Sequence, residues 1–142
     1  EIIRKALKTI RVPGRVEVID NDRGYLLLID YAHNAMSLKN ILETMRRYHP
    51  RQLWVLFGCG GGRSAARRRE MGCVAGKYAD FTVITSDNPR YEEPERIMQT
   101  IEEGMKETKG QYQMMVDRKE AMRFMLAQGT AGRYFDPGGK GP

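Results

Sequence analysis

Hydrophobic positions along the chain follow two alternating periods. Ile2, Ile3, Ala6, Leu7 and Ile10 recur at helical spacing, and Val12-Pro13-Gly14 interrupts them, so residues 1–11 read as the end of a preceding domain or linker. Residues 16–19 and 25–29 are rich in Val, Leu and Ile and flank Asp20-Asn21-Asp22-Arg23-Gly24, a turn cluster that predicts a β-hairpin. Leu38, Ile41, Leu42, Met45 and Tyr48 mark one face of a helix that Pro50 ends. A β-forming run, Leu53-Trp54-Val55-Leu56-Phe57, gives way to Gly58-Cys59-Gly60-Gly61-Gly62-Arg63 and then to a helical stripe of Met71, Val74, Ala75 and Tyr78. In that helix Gly72 and Gly76 lie on adjacent turns and predict close approach to a sheet. Residues 81–85 form a further strand. After Ser86-Asp87-Asn88-Pro89-Arg90, Pro94 opens a helix striped by Ile97, Met98, Ile101 and Met105. Residues 112–116 read as a strand, and Asp117 with Glu120 three residues on predicts a capping box for a helix through Ala121, Phe124 and Met125.

A hairpin followed by alternating helices and strands predicts an α/β fold: a Rossmann-like, mostly parallel sheet with helices on both faces, occupying residues 12–128. In such sheets ligands sit beyond the carboxyl ends of the strands. Loops 30–34, 58–63 and 86–90 each follow a strand and are expected to gather at that rim. A last strand is due after the final helix, but only Tyr134 and Phe135 supply β-forming bulk before Pro137-Gly138-Gly139-Lys140-Gly141-Pro142, so residues 129–142 are expected to be a poorly ordered tail.

Length and composition narrow the function classes. A chain of 142 residues holds one core, and 41% hydrophobic with 30% charged residues is ordinary for a globular domain. No apolar run is long enough to span a bilayer, and a cytoplasmic location without membrane association is expected. The two cysteines, Cys59 and Cys73, lack disulfide or zinc spacing and read as small buried thiols. The methionines at helical spacing, Met98, Met105, Met122 and Met125, read as core. A formal charge of +6 favours anionic partners, with Arg63, Arg67, Arg68 and Arg69 as a local focus. A basic nucleic-acid-binding module is one reading of that cluster. A solvated helix face is another, and no aromatics interleave with the arginines.

Candidate chemistry lies in the loops. Glycines between a strand and a helix let backbone N–H groups approach a ligand, the helix amino end adds partial positive charge, and Arg63 adds a planar fork of donors: an anion or nucleotide site. The same pattern also serves as a plain structural turn. Asp30-Tyr31-Ala32-His33-Asn34 places a carboxylate, an imidazole and an amide at the mouth of a strand, and equally fits a strand-terminal Asp followed by an Asn helix cap. Asp87-Asn88-Pro89-Arg90 suits a zwitterionic amino acid, since Arg pairs a carboxylate bidentately and Asp and Asn receive an ammonium; an Asx-type turn with a surface arginine is the alternative. Glu92-Glu93 reads as favourable charge ahead of a helix amino end.

Taken together, Val12-Pro13-Gly14-Arg15-Val16-Glu17, Asp30-Tyr31-Ala32-His33-Asn34, Phe57-Gly58-Cys59-Gly60-Gly61-Gly62-Arg63 and Asp87-Asn88-Pro89-Arg90, in this order and spacing, resemble the carboxy-terminal domain of the Mur ligase family. Within it they are most similar to the UDP-N-acetylmuramoyl-tripeptide synthetases, which add the third peptide residue in peptidoglycan synthesis. The resemblance implies an ATP-dependent amide ligase of three domains: a first for the UDP-linked muramoyl dipeptide, a central one with the P-loop and Mg2+ site, and this third one. It implies that Arg15, Asp30, Tyr31, His33 and Asn34 face ATP, and that Arg63, Asp87, Asn88, Pro89, Arg90 and Gly139 bind the amino acid, with no catalytic residue assigned. Arg90 implies meso-diaminopimelate, because it can hold the distal carboxylate that lysine lacks. The family's Gly-Lys-Gly-His-Glu motif is cut short here, Gly139-Lys140-Gly141 being followed by Pro142. No Walker-type lysine loop occurs, so the chain is expected to be an excised domain without activity alone. Folylpolyglutamate and cyanophycin synthetases share a similar Asp-x-Ala-His-Asn stretch and are the alternative family, against which the Asp-Asn-Pro-Arg and glycine loops speak.

Overall fold

The structure, a computed structural model, describes residues 14–130. The expected linker over residues 1–11, the last strand near Tyr134 and Phe135, and Gly139 lie outside the described residues. The elements are β1 (Glu17–Ile19), β2 (Leu27–Ile29), α1 (Ala35–Arg46), β3 (Trp54–Phe57), α2 (Ala65–Tyr78), β4 (Phe81–Thr85), α3 (Pro94–Lys106), β5 (Gln111–Met115) and α4 (Arg118–Thr130).

Strands β3, β4 and β5 form a parallel sheet in that order, with Phe57 opposite Ile84 and Ile84 opposite Met114. Both crossovers step the same way across the sheet, and right-handed connections then place α2 and α3 on the same face. The side chains bear this out through the two-residue period of a strand. Val55, Phe57, Ile84, Tyr112 and Met114 pack with α1, α2 and α3, whereas Trp54, Leu56, Phe81, Val83 and Met115 pack with α4. Helices cover both faces, as the sequence predicts. β4 is buried along its whole length, which its uninterrupted Phe-Thr-Val-Ile-Thr run anticipates.

The hairpin is shorter than predicted and pairs only with itself, Val18 opposite Leu28. The Asn21 side-chain amide donates to the Ile19 and Tyr25 carbonyls at 3.2 and 3.0 Å, so a side chain replaces the ladder where strands were expected to continue. At the other end Val16 has φ +47°, outside the β region, and β1 starts after it.

Close packing by small residues occurs, but not where the sequence placed it. A Cβ on Gly72 would lie 2.0 Å from the Ile101 carbonyl oxygen, and one on Gly104 would lie 1.9 Å from that of Arg69. Gly76 faces the Thr108 hydroxyl in the same way, at 2.1 Å. The glycines therefore bring α2 against α3 and the turn after it, rather than against the sheet. Helix starts follow the expected grammar: Asn34 Oδ1 accepts from Ser37 N at 2.8 Å, Ser64 caps α2, Pro94 opens α3, and Asp117 Oδ1 accepts from Glu120 N at 2.9 Å.

Candidate functional site

Of the three loops expected to gather at one rim, two interlock main chain to main chain. Beyond β3, Gly61 N donates to the Asn88 carbonyl at 2.8 Å, and a Cβ on Gly61 would sit 1.9 Å from the Pro89 carbonyl oxygen, so only glycine fits there. Gly62 follows at φ +70°, with Arg90 Nη1 3.1 Å from where its Cβ would stand. The Arg90 side chain thus lies over the residue next to Arg63, and the two arginine-bearing loops share one rim. Arg90 itself holds φ +54°, uncommon for a non-glycine residue. Asn88 Oδ1 stabilises that turn by accepting from Arg90 N at 3.1 Å, and Glu92 N closes it onto the Pro89 carbonyl at 3.0 Å. Asp87, Arg63 and Arg90 are exposed and make no ion pair among the described residues. The Asx turn expected as the alternative is therefore present, together with the free guanidinium that a ligand needs.

Beneath these loops lies an ion pair that the sequence reading missed. The Arg68 guanidinium, 4% exposed, donates from Nη1 and Nη2 to the two carboxylate oxygens of Glu92, each at 2.8 Å. Glu92 Oε1 also accepts from Gly62 N at 2.6 Å, and Arg68 Nη2 reaches the Gly60 carbonyl at 3.4 Å. The hydrogen bonds from Arg68, then that from Gly62, hold the Glu92 carboxyl down at about 2. Glu92 is thus not simply charge before a helix: it ties the glycine loop to α2. Arg68 was read with a solvated basic run, yet it lies at helical spacing from Met71 and Ala75, on the buried stripe, where a charge requires a partner. Arg69 is paired as well, to Glu107. Two members of the four-arginine cluster are thereby paired within the chain.

The remaining loop, expected at the same rim, follows β2, which pairs only with β1, so it does not belong to the carboxyl rim of the parallel sheet, and it is built differently. The Asp30 carboxylate accepts from Val16 N at 2.9 Å and from Ala32 N at 2.8 Å, holding the strained Val16 turn against the end of β2. Asn34 caps α1. Both residues thus carry the structural roles considered for them. Around them, the Arg15 guanidinium stands 5.3 Å from the Tyr31 ring centre, and the Tyr31 ring 5.4 Å from that of His33, whose Nδ1 lies 3.2 Å from the Tyr31 carbonyl oxygen. Tyr31 is 63% exposed. These three form an open aromatic and cationic platform suited to a base or phosphate.

A cavity of about 610 Å3 lies elsewhere, among β2, α1, β3 and α4, and is lined by apolar side chains such as Leu28, Leu42, Met45, Trp54 and Met125. Of the candidate residues only Asp30 borders it, so its size does not make it the site. Burial pushes the Cys59 thiol up to about 11, and Cys73, expected to be buried, is half-buried; neither cysteine is in a disulfide. Among the described residues no group of three His, Cys, Asp or Glu side chains could hold a metal ion, and no helix is long and apolar enough to cross a membrane.

The described residues thus form a parallel α/β layer with two unpaired arginines at its carboxyl rim and, beside the hairpin, an exposed aromatic and cationic platform. The chain belongs to the Mur ligase family, whose glutamate ligase domain matches residues 14–134, a family of ATP-dependent ligases. A UDP-N-acetylmuramoyl-L-alanyl-D-glutamate–2,6-diaminopimelate ligase of Alkaliphilus oremlandii is 44% identical over 127 residues, 89% of this chain and 26% of that protein. A solved structure of a ligase of the same name superposes with a TM-score of 0.74 at 39% identity, covering 85% of this chain and 25% of the other. Folylpolyglutamate synthase of Mycobacterium tuberculosis superposes with a TM-score of 0.68 over 89% of this chain and 27% of the other; at 17% identity this likeness shows the fold alone. The chain spans about a quarter of the length of these relatives.

Proposed function

We propose that the chain is the carboxy-terminal domain of a cytoplasmic ligase that uses ATP to add meso-diaminopimelate to UDP-N-acetylmuramoyl-L-alanyl-D-glutamate in peptidoglycan synthesis. The observation that carries this is the Gly61–Asn88 main-chain bond, with Arg90 lying over Gly62, which puts two unpaired guanidinium groups on one rim. Arg63 and Arg90 take the two carboxylates of the amino acid, and Asp87 receives an ammonium. Asn88, whose two oxygens are already engaged, holds the Arg90 turn and offers its amide NH2, while Pro89 stiffens the loop. On the other side Arg15, Tyr31 and His33 face ATP, with Asp30 and Asn34 fixing the backbone that carries them.

In the reaction, the substrate carboxylate takes the γ-phosphoryl group of ATP, releasing ADP. The amine lone pair then attacks the acyl carbon, phosphate leaves with the bonding electrons, and the nitrogen gives up a proton. This domain contributes by binding and orientation, which convert a bimolecular attack into a positioned one. Mg2+ is held mainly by the central domain, and the chain alone, without a phosphate-binding lysine loop, ligates nothing; turnover by the isolated chain would refute that.

Calorimetry of the full-length ligase with meso-diaminopimelate against L-lysine tests the substrate. Arg90→Ala is expected to cost about 2–4 kcal/mol of diaminopimelate binding, the range for breaking a desolvated charge pair, and to leave L-lysine nearly unaffected. Equal binding of the two amino acids by the unmutated ligase would remove the assignment.

A further inference from the structure

We propose that Arg68 and Glu92 are positioning residues for the amino-acid pocket: their two-pronged contact, buried on the Arg68 side, fixes where the Arg90 guanidinium stands relative to the glycine loop. The proposal rests on the function proposed above and adds two residues to it that contact no substrate. Glu92 lies two residues after Arg90, and its carboxylate binds Gly62 N and both Arg68 Nη atoms together. With the Gly61–Asn88 bond, the loop is tied to the glycine turn on both sides of Pro89-Arg90-Tyr91. Between these two ties the backbone of Arg90 keeps its uncommon φ of +54°. A guanidinium aimed at a carboxylate bidentately tolerates little displacement, and the ties limit it.

Stability alone is a poor account of this pair. Position 68 shares a helix face with Met71 and Ala75, where an apolar side chain would pack without desolvating a charge. Instead the chain keeps an arginine whose Nε is buried with no hydrogen-bond partner among the described residues. The pair also consumes the charge of Arg68 locally, so that Arg63 and Arg90 remain the guanidinium groups free for ligand carboxylates.

The test is steady-state kinetics on the full-length ligase that carries this chain, varying meso-diaminopimelate and ATP separately, for Glu92→Gln, Arg68→Lys and the double variant. Gly24→Ala, at φ +77° in the hairpin turn with nothing within 4 Å, serves as a control of lowered stability away from the rim. Glu92→Gln is expected to raise the KM for the amino acid at least tenfold and change that for ATP less than twofold. Arg68→Lys, which keeps the charge but loses the fork, behaves alike, and the double variant is no worse than either single one. Gly24→Ala lowers the melting temperature and moves neither KM. The proposal is overturned if Glu92→Gln raises both KM values together, or if Gly24→Ala, at matched loss of stability, raises the amino-acid KM as much. Indifference of the unmutated ligase to meso-diaminopimelate against L-lysine sinks the substrate assignment instead, and the KM for either amino acid still reports on the fork.

Discussion

The two candidate loop regions, one at the carboxyl rim of the parallel sheet and one after β2 of the separate hairpin, are made of similar residues, arginines, acids and amides, but they are held in opposite ways. At the glycine loop, backbone meets backbone: a Cβ on Gly61 would fall 1.9 Å from Pro89 O, and a buried arginine sits underneath. At the Asp30–Asn34 loop, one carboxylate and one cap hold a turn whose aromatic and cationic side chains stand in solvent, Tyr31 at 63% exposure. The first is preorganised for a small ligand with fixed charge spacing, which lowers the ordering cost on binding. The second is open, consistent with the nucleotide role proposed for it.

That contrast can be broken most directly with alanine. Gly61→Ala is expected to destabilise the chain by about 3 kcal/mol, since backbone must separate to admit the methyl group. Gly24→Ala, at φ +77° in the hairpin turn with nothing within 4 Å, pays only the left-handed backbone cost of about 1 kcal/mol. Urea titrations of the two variants giving equal losses would erase the distinction between interlocked and open regions.

A second comparison uses pH. Glu92 titrates at about 2 when folded against 4.5 as a free group, so between those values the unfolded chain binds more protons and stability rises with pH. The contribution is complete above about pH 4.5 and lost as pH falls through about 2. The stability gap between the unmutated chain and Glu92→Gln is therefore expected to stay level from pH 7 to 5 and to close on acidification; a gap that widens instead would contradict the ion pair.

The smallest effect on folding is expected at the open mouth. Tyr31→Ala, at a side chain largely in solvent, is expected to change stability by less than about 0.5 kcal/mol. In the full-length ligase it should weaken ATP several-fold with the amino-acid KM unmoved. An unchanged KM for ATP would take Tyr31 off the nucleotide side.

Periodicity alone placed every strand and helix of the described residues to within a few positions, because burial on a sheet or a helix face leaves its own spacing in the chain. β4 was legible from its run of aromatic and β-branched residues, and α1 from its stripe and cap. The loops were legible as chemistry, since Gly, Asn, Asp and Arg in strand-to-helix turns are costly or pointless elsewhere. Their arrangement was not legible. Nothing local says that Asn88 O meets Gly61 N across the rim, that Gly72 faces α3 rather than the sheet, or that Arg68 and Glu92, one read as surface charge and the other as helix charge, grip each other. Spacing along the chain reports which face a residue turns toward the core, whereas the partner it finds there depends on how separate elements stack. Only the tertiary structure decided that a charge on an apolar stripe had a carboxylate 24 residues away to meet it.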